Sequence, residues 1–196
     1  MELRSSKTFQ NLINAYIGEC HDHVKYKFLA YGAKTQKLFE VEKALEEISK
    51  NEFHHGRMFY TAIQKASPDH CENLRVDAGY PFREKWELLD NLEYSARTEQ
   101  QESADIYPAY AKIADDEGFG YEADLFRLVA AVENCHMMQL DNIRRQMTDG
   151  NLYHRGTPVK WKCANCGHEQ TSCDAPQTCP LCGSEQGHVK LILPDN

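Results

Sequence analysis

Apolar residues recur along most of this chain at steps of three and four, the period of an α-helix that buries one face. Over residues 6–33 the stripe holds Phe9, Leu12, Tyr16, Tyr26 and Ala30. Over 37–65 it holds Val41, Leu45, Ile48, Phe59 and Ala62, and Ser67-Pro68-Asp69 supplies a stop. A loop through Gly79-Tyr80-Pro81 leads to a third periodic segment, 84–116, expected to kink or break at Pro108, which has no amide hydrogen to give the helix ladder. Glu117-Gly118-Phe119-Gly120 reads as a turn and 121–147 as a fourth helix. Four amphipathic segments in succession predict a mainly α fold, a four-helix bundle over residues 1–149. The pattern stops at Asp149-Gly150, so 150–160 reads as a linker and the helix-poor, Cys-rich 161–196 as a second domain.

The stripes have polar residues in their middles. Glu19 falls between Tyr16 and Tyr26 on the first helix, and Glu52 and His55 between Ile48 and Phe59 on the second. On the third, Glu99 and Glu102 follow Leu88, Leu92 and Ser95 and precede Ile106. On the fourth, Glu133 and His136 sit between Val132 and Leu140. A buried carboxylate without a partner costs several kcal/mol. Four helices each pointing one into a shared core require cations to neutralise them.

The spacing names those cations as metal ions. Glu52-x-x-His55 and Glu133-x-x-His136 each put a carboxylate and an imidazole on one helix face, a turn apart. One Glu from each of two helices and Glu-x-x-His from each of the other two is the pattern of ferritin-like bundles that hold two iron or two manganese ions. The order repeats: 33 residues separate Glu19 from Glu52 and 34 separate Glu99 from Glu133, as a site of approximate two-fold symmetry requires. Other polar residues read as solvated or incidental. His54 points away from His55, Glu42, Glu46 and Glu47 lie on the wet side of the second helix, and Asp115-Asp116-Glu117 reads as a solvated helix end. His23 reads as a surface residue or a support for a ligand, and Cys20, Cys71, Cys135 and Cys173 as core or incidental thiols.

In the tail, Cys163-Ala-Asn-Cys166-Gly167 and Cys179-Pro-Leu-Cys182-Gly183 are separated by twelve residues. Each Cys-x-x-Cys-Gly suits a knuckle whose glycine takes a positive φ, and four thiolates make a closed tetrahedral site for zinc or iron. Taken alone the knuckles favour structural zinc. A redox-active metal pair in the same chain favours iron, because an electron carrier beside it has a use.

Composition narrows the function classes. The 196-residue chain is 41% hydrophobic and 27% charged, the balance of a globular protein. A net charge of -8 argues against nucleic acid and anionic membranes as partners. The longest aliphatic run, Leu128 to Val132, is far too short to cross a bilayer. No apolar segment opens the chain, so eight cysteines point to a reducing cytoplasm and to metal binding, not to disulfides.

Taken together, the motifs Gly18-Glu19, Asn51-Glu52-Phe-His-His55, Glu99-Gln-Gln-Glu102 running into Ile106-Tyr107-Pro108, Glu117-Gly118-Phe119, Val132-Glu133-Asn-Cys-His136 and the tail from Trp161-Lys-Cys163 to Cys182-Gly183 resemble the rubrerythrin family over essentially the whole chain. The resemblance does not separate rubrerythrins from the closely related nigerythrins. It implies a ferritin-like di-iron bundle followed by a rubredoxin-like domain. Its di-iron ligands would be Glu19, Glu52, His55, Glu99, Glu102, Glu133 and His136, and its third iron would be held by Cys163, Cys166, Cys179 and Cys182. Tyr26 and Tyr107 match tyrosines that flank the cluster. The implied function is a cytoplasmic, dimeric peroxide reductase protecting against oxidative stress. Its electrons would come through a separate NAD(P)H-linked reductase or a rubredoxin, and its dimer would be head-to-tail. Three features depart from the family pattern: Thr98 in place of a usual Gly, His168 in place of a usual Tyr, and Cys20, His21 and His23 in the first-helix motif.

Glu102 exceeds what a ferritin-like site needs, and a charge count suggests its use. Glu19, Glu52, Glu99 and Glu133 cancel two Fe(II); oxidation to two Fe(III) adds charge that Glu102 can partly offset. Fe(III) prefers anionic oxygen and Fe(II) accepts imidazole, so His55 is expected to give way to Glu102 on oxidation. The catalytic set is therefore Glu102, His55, Tyr26 and Tyr107, acting in two-electron reduction of hydrogen peroxide. Two alternatives remain: a ferroxidase or iron-handling protein using O2, and a non-catalytic module with a zinc ribbon. Zinc or manganese also suits these donor sets.

Overall fold

The computed structural model describes residues 2–66, 73, 75–76 and 87–192. Five helices and a small sheet account for most of them: α1 (Lys7–Thr35), α2 (Phe39–Ala66), α3 (Leu88–Gln101), α4 (Tyr107–Glu117), α5 (Gly120–Thr148), β1 (His154–Cys163), β2 (Glu169–Asp174) and β3 (Val189–Leu191). The bundle is ferritin-like, with α3 and α4 together forming its third rod. The stop at 67–69, the loop through 79–81, the start of the third helix at 84 and Cys71 lie outside the described residues.

α1 packs along α2, and the α3–α4 rod packs along α5. The Ser6 hydroxyl caps α1 by accepting from the Phe9 amide at 3.0 Å. Glu117 was expected to be solvated; instead its carboxylate accepts from the Lys7 and Thr8 amides at 3.0 and 2.9 Å. It thus satisfies orphan donors of α1 from the far end of α4.

The third rod breaks earlier than Pro108. Glu102–Ile106 is a π-helical turn, and Pro108 stands in the first turn of α4, where a missing amide hydrogen leaves no bond unmade. The wide turn shifts the phase of the rod. Ile106, expected on the buried stripe, is 38% exposed, and Tyr107 is buried at 2%.

Two apolar layers result. One gathers Phe9, Leu12, Phe59, Tyr107 and Phe126; the other gathers Tyr26, Leu29, Leu45, Ile48, Leu92 and Leu140. Between them lie the buried polar residues Glu19, Glu52, His55, Glu99, Glu133 and His136.

In the tail, β1 pairs antiparallel with β2 on one side and β3 on the other. Residues 154–160, expected as part of a linker, are therefore strand. Trp161, Ala175 and Val189 form a small core, and the Trp161 indole donates to the Ser172 carbonyl at 3.0 Å. The tail leans on the α1–α2 corner: Lys37 pairs with Glu185 at 2.7 Å, and the rings of Phe39 and His188 stack 4.0 Å apart. A Cβ on Gly187 would lie 1.8 Å from the Lys37 carbonyl oxygen, so the contact needs glycine there. No described helix is long and apolar enough to cross a membrane.

Candidate metal centre

Helical period puts each Glu-x-x-His pair on one face, and the packing of four helices brings six side chains to one level. Glu52 and His55 on α2, and Glu133 and His136 on α5, face inward one turn apart; Glu19 from α1 and Glu99 from α3 meet them. Two overlapping sets form. Glu19, Glu52, His55 and Glu133 offer donor atoms within 4.8 Å of one another, and so do Glu52, Glu99, Glu133 and His136. Glu52 and Glu133 belong to both, so each could contribute to two metal ions.

The imidazoles take the central contacts. His55 Nδ1 lies 2.8 Å from Glu133 Oε1, 3.0 Å from Glu52 Oε2 and 3.5 Å from Glu19 Oε2. His136 Nδ1 lies 2.7 Å from Glu133 Oε2, 3.1 Å from Glu52 Oε1 and 3.7 Å from Glu99 Oε2. The tyrosines repeat the symmetry: Tyr26 donates to Glu99, and Tyr107 donates to Glu19. The helices come close here, since a Cβ on Gly56 would be 3.3 Å from Glu19 Cβ.

The electrostatics demand positive charge. Burial pushes the Glu19 carboxyl well above its ordinary range, and Glu99 up to about 8. Burial also opposes charge on the imidazoles, but Glu133, Glu19 and Glu52 outweigh it and push His55 up to about 12. Glu133, Glu52 and Glu99 do the same for His136. The two imidazoles in turn pull Glu52 down to about 2 against the effect of burial. Buried Glu52 Oε1, Glu99 Oε2 and Glu133 Oε1 still receive no aligned hydrogen-bond donor among the described residues; the imidazole nitrogens near them are at ion-pair distance without hydrogen-bond alignment. Orphaned buried carboxylate oxygens converging with two imidazoles fit a pair of divalent or trivalent metal ions.

Glu102 enters neither set. It is half-buried at the start of the π turn and groups instead with Asp22 and Glu99. Sequence reasoning missed Asp22, although it follows Glu19 by one turn, and it missed Lys25, whose ammonium lies 2.9 Å from Asp22. It also missed that Asn51 stands 3.2 Å from His136 Nε2, where it can orient the ring. His23 ties α1 to α2 through Ser49, 2.8 Å from its carbonyl oxygen and 3.0 Å from its hydroxyl. Cys20 and Cys135 are exposed, so of the two readings, core or incidental thiols, they fit the second. A cleft of about 380 Å³ between α1 and α2 reaches Glu19 and Glu52 past Tyr16, Cys20 and Tyr60.

In the tail the four cysteine sulfurs converge within 4.8 Å. Gly167 and Gly183 take the positive φ angles of 78° and 73° that close each knuckle, and their amides donate to the Cys163 and Cys179 carbonyls at 2.9 Å. The Ser184 hydroxyl and amide bring Cys182 down to about 6. A His168 amide favours the Cys166 thiolate, yet burial and the three neighbouring thiols push it up to about 12. Four thiolates cannot gather without a cation, and a metal ion held by Cys163, Cys166, Cys179 and Cys182 would supply it.

The family model described as Rubrerythrin matches residues 10–144. The chain belongs to the rubrerythrin family. It is 29% identical to a rubrerythrin of Clostridium perfringens over 97% of this chain and 96% of that one. It is 30% identical to a rubrerythrin of Porphyromonas gingivalis over 96% and 91%. Among solved structures, nigerythrin in a mixed-valence state superposes with a TM-score of 0.62 at 22% identity, covering 96% of this chain and 90% of that one. The bacterioferritin of Desulfovibrio desulfuricans superposes with a TM-score of 0.63 at 20% identity, over 76% and 85%. These two likenesses concern the fold. Rubrerythrin membership, the carboxylate centre and the four-cysteine cluster support an iron-dependent oxidoreductase of oxidative-stress defence.

Proposed function

We propose that this rubrerythrin-family chain reduces hydrogen peroxide to water at two iron ions in the bundle, with electrons entering through a third iron at Cys163, Cys166, Cys179 and Cys182. The observation that carries the reading is the coexistence, in one chain, of a buried carboxylate–imidazole centre and a four-thiolate site. A centre that only oxidised iron would need no electron inlet.

Glu19, Glu52, His55, Glu99, Glu133 and His136 would hold the iron pair, which when bound supplies two electrons and Lewis acidity. The balance is one H2O2, two electrons and two protons to two waters. Tyr107 and Tyr26 hold Glu19 and Glu99 by hydrogen bonds and fix where those carboxylates point. The cleft between α1 and α2 admits a molecule as small as peroxide to Glu19 and Glu52. Glu102, which stands beside Asp22 and Glu99, would be a further carboxylate donor able to take over from His55 as positive charge grows. The cysteines Cys20, Cys135 and Cys173 are free, as suits a reducing cytoplasm, and a reductase or rubredoxin is the matching electron donor.

The test is anaerobic. Iron-loaded, fully reduced chain is mixed with limiting H2O2, or with O2, while the visible bands of the four-cysteine iron are followed. We expect the visible bands of the ferric four-cysteine iron to grow in rapidly from the colourless reduced state, with one H2O2 consumed per two electrons. Faster reaction with O2 than with H2O2 would favour the ferroxidase reading, and zinc at the four cysteines would remove the electron inlet.

A further inference from the structure

Beside the two donor sets lies a third carboxylate group: Asp22, Glu99 and Glu102 offer oxygens within 4.8 Å of one another. Its cation is an ammonium, which unlike the imidazoles of the other two sets has no lone pair to offer a metal ion. The Lys25 ammonium lies 2.9 Å from Asp22 Oδ2 and 3.7 Å from Glu99 Oε1, and it donates to Thr98 Oγ1 at 3.2 Å. The Lys25 side chain is only 11% exposed and that of Asp22 only 9%. A lysine is almost never this buried without paired charge. Burial disfavours its ammonium, yet Asp22, Glu99 and Glu102 hold its pKa above the ordinary lysine value.

We infer that Lys25 is a tethered cation that occupies this third group and thereby limits the bundle to two metal ions. Three carboxylates so close would otherwise suit a hard divalent ion, which prefers clustered oxygen donors. The ammonium takes that position at no coordination cost to Glu99, which stays available to the His136 set. It also leaves Glu102 unclaimed by a third ion. That second consequence rests on the proposed function; the limit on metal number does not. Thr98 gains a purpose here: its hydroxyl gives the ammonium a neutral acceptor between the carboxylates.

The deciding measurement is metal number and position, read without turnover. Full-length chain holding zinc at its four cysteines is titrated with Mn(II), which favours oxygen over thiolate donors. Sites are then located by anomalous scattering at the manganese edge. We expect two Mn(II) in the parent chain and in Lys25→Arg, and three in Lys25→Met, the third beside Asp22 and Glu102. Adding Asp22→Asn to Lys25→Met should return the number to two, an outcome that a merely loosened bundle would not produce. Should Lys25→Met fail to fold, Lys25→Gln removes the charge while keeping a donor for Asp22, with the same expectation. Three Mn(II) in the parent chain, or two in the charge-deleted variant, would overturn the inference. Fewer than two in the parent would overturn the two-metal reading as well.

Discussion

The Tyr107 hydroxyl on α4 donates a hydrogen bond to Glu19 on α1, across 88 residues of sequence, and it reaches there because a π-helical turn stands immediately before it. In an unbroken α-helix the stripe that contains Leu92 and Glu99 would place Ile106, not Tyr107, against the core. Tyr26 makes the matching bond to Glu99. Loss of a partner that orients a metal-binding carboxylate typically lowers metal affinity by about 10–100-fold. Tyr107→Phe and Tyr26→Phe should each do so, the first weakening the Glu19 side and the second the Glu99 side. Chelator competition with Co(II) checks this; parent-like affinity in both variants would show that the hydroxyls do not hold the site.

Gly56 faces Glu19 at the closest approach of α1 and α2. Gly56→Ala gains about 1 kcal/mol of helix propensity and loses about 1–3 kcal/mol to overpacking, because Glu19 Cβ must retreat. Thermal stability should therefore change little or fall slightly, while metal affinity falls clearly. A variant of unchanged affinity whose melting temperature rises would mean that α1 moves aside freely and Glu19 is not held by this contact.

The pH dependence of stability should reverse when metal is bound. With protein groups alone, His55 and His136 are held up to about 12 by their carboxylate neighbours despite burial. A group raised in the fold contributes stability below its unfolded value, and that contribution fades as pH climbs towards the folded one. Glu99, pushed up to about 8 by burial, acts in the same direction, since above its ordinary 4.5 the unfolded chain releases a proton that the fold retains. Glu52, pulled down to about 2, is ionised throughout this window. Metal binding displaces the imidazole protons and strengthens as pH rises. The gap in melting temperature between loaded and chelator-treated chain should widen from about pH 6 to about pH 8. A gap that narrows over that interval would contradict the assignment of both imidazoles to metal.

Electrons should pass between chains. The tail rests on Phe39 at the start of α2, and Glu52 lies thirteen residues further along that helix. At 1.5 Å per residue the two levels are about 20 Å apart, a long single step within one chain. A head-to-tail dimer would bring each tail beside its neighbour's bundle centre. Cys179→Ser disables a tail and Glu52→Ala disables a bundle centre, so each variant alone should be inactive with peroxide. Heterodimers of the two should regain activity through the one intact tail and the one intact centre; verified heterodimers without activity would place transfer within the chain.

Residues that act through local spacing were legible from the chain alone. The Glu-x-x-His pairs at 52–55 and 133–136 share a helix face because of the 3.6-residue period, and the two Cys-x-x-Cys-Gly knuckles close through their own backbone bonds and glycines. The stripes of α1, α2 and α5 likewise carried the bundle and located its polar middle layer. The sequence therefore determined which side chains face inward and which chemistry they offer. It did not determine which distant groups they meet. Glu117 capping α1, Asn51 beside His136, Lys25 within the Asp22–Glu99–Glu102 group, and Tyr107 in place of Ile106 all depend on how one helix is rotated and shifted against another. Helical period is a property of a few consecutive residues, so it is written locally. Rotation and axial shift are settled by packing the whole interface, and a single π turn is enough to change them, so only the tertiary structure decided those partners.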